Sequence, residues 1–170
     1  MSSKVLVIDT SILCCWLNIP GKEHAGPASD RWDFDRVQTT LEAEKEKNSV
    51  FVLPLASLIE TGNHIAQSNG SRYDLATRLC SLLTSSLSGE SPWAMFGEQA
   101  ALWEAEALQS LAGSWPNMAA ARLAIGDATI KEVADYYARA GFRVEILTGD
   151  AGLKAYESSK AMAIPRRRNR

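Results

Sequence analysis

The chain has 170 residues, 46% of them apolar and 22% charged, with a formal net charge of −2. That length supports one domain with a sizeable core, and no run approaches the ~18 uninterrupted apolar residues of a membrane span. Four of the 18 cationic residues stand together at the end as Arg166, Arg167, Arg168 and Arg170; the body ahead of them is acidic, which excludes a broad basic surface.

Met1-Ser2-Ser3-Lys4 leads straight into an apolar run, with neither the n-region nor the h-region of a signal peptide, so a cytoplasmic location is expected. The three cysteines, Cys14, Cys15 and Cys80, are odd in number and two are adjacent. Neither a disulfide framework nor a zinc ribbon follows, and small buried hydrophobes on helices are expected.

Residues 4–8 are mostly apolar and read as a buried parallel strand. Thr10 or Ser11 is placed to cap a short helix, Ile12 to Leu17, which Asn18-Ile19-Pro20-Gly21 ends. After a loop over 20–30, the dense charges between Trp32 and Asn48 predict a solvent-facing helix. Asp30, Asp33 and Asp35 read as a loop capping it. Val50-Phe51-Val52-Leu53 is a second strand, stopped by Pro54. The helix beyond carries Ser57, Glu60 and His64 at three-and-four spacing, hence on one face.

Leu75, Leu79, Leu82 and Leu83 stripe a helix over 72–87, and a further helix is expected from Gly97 to Ala112, with a turn at Trp115-Pro116. Asp127 opens the next helix as an N-cap, with Ile130, Val133, Ala134 and Tyr137 on one stripe and Gly141 past its end. Phe142 to Leu147 is a strand, and Ala161 to Ile164 is one more.

Strands alternating with helices define an α/β class: a single-domain α/β/α sandwich with a mainly parallel sheet of four or five strands. The domain spans 1–164, with a helical insert at about 70–122, and 165–170 form a basic tail. Ligands of such sheets bind beyond the carboxyl ends of the strands. Asp9, Glu60, Asp127 and Asp150 each stand where an expected strand or helix begins or ends. Four carboxylates collected at one sheet edge have little structural use without a divalent cation.

Three segments resemble the PIN-domain family of small metal-dependent nucleases. They are Val7-Ile8-Asp9-Thr10-Ser11, Leu53-Pro54-Leu55-Ala56-Ser57-Leu58-Ile59-Glu60, and Gly126-Asp127-Ala128-Thr129-Ile130 with Thr148-Gly149-Asp150 about twenty residues on. The resemblance implies that Asp9, Glu60, Asp127 and Asp150 bind one or two Mg²⁺ or Mn²⁺ ions. It implies support from Thr10, Ser11 and Thr148, and phosphodiester hydrolysis, in RNA more often than DNA. It leaves room for an inhibitory protein partner and for a homo-oligomer. The 66 residues between Glu60 and Asp127, with Trp93, Trp103 and Trp115 among them, exceed the spacing of the compact toxin-type members.

Each acid alone also has a plain reading: a strand end at Asp9, a helix cap at Asp127, a surface residue at Glu60. His64, Lys131 and Lys154 stand one turn from an acid, suited to substrate contact, but a plain helix-surface or partly buried place is favoured for His64 and a simple i,i+4 ion pair for the lysines. Arg166, Arg167 and Arg168 are suited to phosphate contact or to solvation. The tryptophans suit base stacking or core packing, core being favoured. Two rivals stand beside the nuclease. One is a PIN-like domain that binds RNA or protein without cutting. The other is a haloacid-dehalogenase-type phosphohydrolase, which needs an acid two residues after its nucleophilic Asp, where this chain has Ser11.

Overall fold

The computed structural model describes residues 3–156. The elements are, in order, β1 Lys4–Ile8, α1 Thr10–Leu17, α2 Phe34–Glu46, β2 Val50–Val52, α3 Leu55–Gln67, α4 Arg72–Ser88, α5 Ala105–Ala120, α6 Ile125–Arg139, β3 Arg143–Leu147 and α7 Ala151–Lys154. Short 3₁₀ turns lie at Ala28–Asp30 and Phe96–Trp103. No described helix is long and apolar enough to cross a membrane.

The sheet is parallel, in the order β2-β1-β3. β1 is therefore central, pairing Val5 with Val50 and Val7 with Val52 on one side, and Val5 with Val144 and Val7 with Ile146 on the other. A strand covered on both faces must be apolar at every position rather than at alternate ones, and Val5, Leu6, Val7 and Ile8 are all fully buried. Leu6 and Ile8 join Ile12, Leu13, Val37 and Leu41, so α1 and α2 cover one face. Val5 and Val7 join Ile130, Val133, Ala134 and Tyr137, so α6 covers the other. A third cluster, Cys14, Leu17, Ile65, Leu75 and Leu79, ties α1 to α3 and α4. Each fully buried Leu or Ile in these layers is worth ~1.5–3 kcal/mol of apolar transfer.

Three strands are present among the described residues, fewer than the four or five expected. The outer edge of β2 is met by a loop: Phe51 N–H donates to Pro92 C=O at 2.8 Å, and Ala94 N–H donates to Phe51 C=O at 2.8 Å. That single bridge, packed by Trp93 edge-on to Phe51, satisfies the edge without a fourth strand. The expected strand at 161–164, like the arginine tail, lies outside the described residues.

Several local expectations change. Asp9, not Thr10 or Ser11, caps α1, its carboxylate accepting from Ser11 N–H. Asp127 is the third residue of α6, not its cap. The turn expected at Trp115-Pro116 lies inside α5, which buries none of its side chains. A proline normally disfavours a helix interior because it lacks the N–H; here the chain continues, with Trp115 Nε1–H donating to Leu123 C=O at 3.1 Å. Glu44 on the charged helix α2 is buried, bonded to Lys4, Lys47 and Ser49. Cys14 and Cys15 are buried as expected, but Cys80 is exposed.

Candidate functional site

Parallel strands place all their C-terminal ends at one edge, and the four acids come there from four different elements. Asp9 directly follows β1 and Asp150 follows β3 by three residues, each capping the helix that starts there. Glu60 stands in the second turn of α3 and Asp127 in the first turn of α6. All four line one cavity of about 340 Å³, together with Thr10, Ser11, Cys14, Lys22, His24 and His64.

Three of the carboxylates are held by one oxygen only. Asp9 Oδ2 accepts from Ser11 Oγ at 2.7 Å, Thr148 Oγ1 at 2.8 Å and Ser11 N at 3.3 Å. Asp150 Oδ1 accepts from Gly152 N at 2.7 Å and Leu153 N at 3.1 Å. Glu60 Oε2 accepts from Thr10 Oγ1 at 3.0 Å. No described group hydrogen-bonds to the second oxygen of any of them. Glu60 Oε1 instead rests against Gly126, where an added Cβ would come within 2.5 Å.

Ser11 and Thr148 lace the two strand ends together. Gly149 N–H donates to Ser11 Oγ at 3.0 Å and Asp150 N–H to Thr148 Oγ1 at 2.9 Å. The three hydroxyls expected to support the acids thus all bond within the site.

None of the four acids forms an ion pair with a described residue. Their charges act on one another instead. Burial first, and then Asp9, Asp150 and Glu60, push the Asp127 carboxyl up to about 6, with a backbone hydrogen bond at Ala124 opposing. Among the described residues no three Asp, Glu, His or Cys side chains close into a ready-made metal cage. The donor set is all oxygen, which suits Mg²⁺ or Mn²⁺. Cys14 adds no thiolate, because burial, with Cys15 beside it, pushes its thiol up to about 12.

His64 lines the cavity, half-buried. Lys131 and Lys154 do not. Lys131 pairs with Asp135 on its own helix at 2.6 Å, four residues on rather than back toward Asp127. Lys154 donates to Ile146 C=O at 3.0 Å and faces Glu145 at 3.6 Å. Both lysines thus have structural partners, in line with the ion-pair reading favoured for them, though neither pairs with the acid one turn before it. Trp93 is core, stacked on Trp16. Lys22 and His24 were missed because nothing in the sequence says how the 18–33 loop folds back.

No family model, curated protein or solved structure matches the chain.

Proposed function

We propose that the chain is a divalent-metal-dependent nuclease of PIN-like type, cutting single-stranded RNA, with Asp9, Glu60, Asp127 and Asp150 as its metal ligands. One observation carries this reading: four carboxylates without a cationic partner share one cavity at the C-terminal edge of the parallel sheet. A protein that only needed helix caps there would not gather four negative charges from elements as distant as residues 9 and 150. RNA rather than DNA follows the resemblance of the ordered acidic segments.

A phosphodiester resists water because its charge repels the nucleophile and its alkoxide leaves poorly. Mg²⁺ or Mn²⁺ supplies the activation of water and the neutralisation of charge. The chain supplies placement. Three donors fix Asp9 Oδ2, two backbone amides fix Asp150 Oδ1, and Thr10 fixes Glu60, so each second oxygen is turned free without rotamer search. The buried seam of Leu6, Ile8 and Leu147 behind them keeps the strand ends rigid.

The test is a single-stranded RNA, a DNA of the same sequence and a phosphomonoester, each with Mg²⁺, Mn²⁺ or chelator. The RNA is expected to be cut internally with either cation and not with chelator. Turnover of the monoester alone would instead make Asp9 a phosphatase nucleophile. RNA binding without cutting under every condition would make the domain a binding module.

A further inference from the structure

The cavity holds nitrogen as well as oxygen. Lys22 and His24 line it from the loop between α1 and α2, and His64 lines it from α3. None of the three side chains hydrogen-bonds or ion-pairs with a described residue. Lys4, by contrast, is clasped between Glu44 and Glu145, Lys47 pairs with Glu44, and Lys131 and Lys154 are tied as above. Lys22 stays out of ion-pair range of all four acids, although its charge is felt by the Cys14 thiol in the cavity wall.

The loop is seated by structure. Asn18 ends α1 in the left-handed conformation, and Lys22 N–H donates to Ile19 C=O at 2.8 Å. Ala25 and Trp32 exchange backbone bonds of 3.1 and 2.7 Å, closing the loop on itself. Its inner turn lies against the β3–α7 connection. A Cβ on Gly149 would come within 2.7 Å of Ala25 Cβ and 2.9 Å of Gly26 N. Contact that close needs glycine at 149, the residue before Asp150, and it sets Lys22 and His24 beside the acids.

Resting on the nuclease reading, we propose that Lys22 and His24 form a phosphate clamp that holds the polynucleotide strand over the carboxylate cavity. The logic is electrostatic. Carboxylates repel a polyanion wherever a metal ion does not intervene, so a strand reaching this cavity needs cations of the chain's own beside it. A lysine serves as a point charge for phosphate oxygen and an imidazole N–H donates to it. In an acidic body, Lys22 and His24 are the basic side chains that stand with His64 at the acids.

Lys22→Gln, Lys22→Arg, His24→Gln and Gly149→Ala in the full chain test this with a labelled single-stranded RNA. Binding is read by anisotropy in Ca²⁺ against salt, and cleavage in Mn²⁺ is read in parallel. Lys22→Gln is expected to lower the salt slope of log affinity by about 0.7, the value for one single-strand phosphate contact. The loss should fall mainly on KM, and Lys22→Arg should restore both. His24→Gln should raise KM, and Gly149→Ala, by pushing the loop off its seat, should do likewise. A wild type that cuts RNA while Lys22→Gln keeps its slope and KM overturns the clamp alone. A fall in kcat with KM and slope unchanged also overturns it. A wild type that neither binds nor cuts overturns the nuclease reading and the clamp with it.

Discussion

The sharpest consequence of the site concerns Asp127 in protein stripped of divalent cations. Its carboxyl is raised from 3.8 to about 6, by burial first and then by Asp9, Asp150 and Glu60. Between those values the folded chain holds a proton that the unfolded chain has released. Stability therefore falls as pH rises from about 4 to about 6 and stays lower above that, while below about 4 both states are protonated and the effect vanishes. At 1.36 kcal/mol per unit the shift amounts to ~3 kcal/mol, reduced by the solvent that reaches a half-buried group to ~1.5–3. Asp127→Asn cannot ionise and escapes this loss, giving up ~0.3–1 kcal/mol of favourable helix-dipole contact in the first turn of α6. Thermal melts in chelator should show the variant several degrees more stable near pH 7.5, at ~2–4 °C per kcal/mol for a chain of this size, and level with wild type near pH 4. Mn²⁺ at a hundred times its dissociation constant should add ~2.7 kcal/mol to wild type and less to the variant. A variant that melts at or below wild type near pH 7.5, or an advantage that does not shrink on acidification, would refute the reasoning.

Asp9→Asn and Asp150→Asn keep a side-chain oxygen that caps a helix as well as aspartate does, so both should melt near wild type yet lose RNA cleavage; retained cleavage would remove them from the site. Gly126→Ala places a Cβ where Glu60 Oε1 now rests. Helix content by circular dichroism should hold while activity falls at least tenfold, and full activity would show Glu60 free to sit elsewhere. Glu44 is held down to about 2: burial would raise it, but Ser49, Lys4 and Lys47 outweigh burial. Its stabilisation is full above about 4.5 and lost as pH falls toward 2, and urea melts of Glu44→Gln should show a loss of ~2–3 kcal/mol at neutral pH.

The strands were legible because a buried parallel strand has to be apolar nearly throughout, and β1 falls at the expected 4–8 while β3 starts one residue after the expected Phe142. Asp9 and Asp150 were legible for the same reason, as polar residues that follow such runs, whereas Glu60 and Asp127 lie on helices and were singled out through the ordered segments of the resemblance. The α5 region was legible only in its first half, where a helix was expected to end at Ala112; none of its side chains is fully buried, so no core stripe marks the rest, and Pro116 sends the opposite signal. The strand expected at 161–164 lies outside the described residues, and the closing of the β2 edge by Phe51, which donates to Pro92 C=O and accepts from Ala94 N–H, carries no strand pattern to read. Lys22 and His24 gave no sign, since their place depends on a contact between Gly149 and Ala25 across most of the chain. The ion pair favoured for Lys131 forms, but helical spacing offers two carboxylates, one turn back and one turn on, and the bond goes forward to Asp135.

The order β2-β1-β3 has a bearing on how the molecule comes into being on the ribosome. Asp9 is made well before Thr148, which anchors it from 139 residues further on. Until β3 arrives, β1 has one edge open and Ile8 and Leu147 cannot meet. Pairing over such a separation is slow to form and comes late. A partly translated chain thus carries Asp9 and Glu60 but no cavity, and one shortened before residue 143 never acquires it. The cavity of the four acids therefore closes only once β3 and the turn to Asp150 have been made.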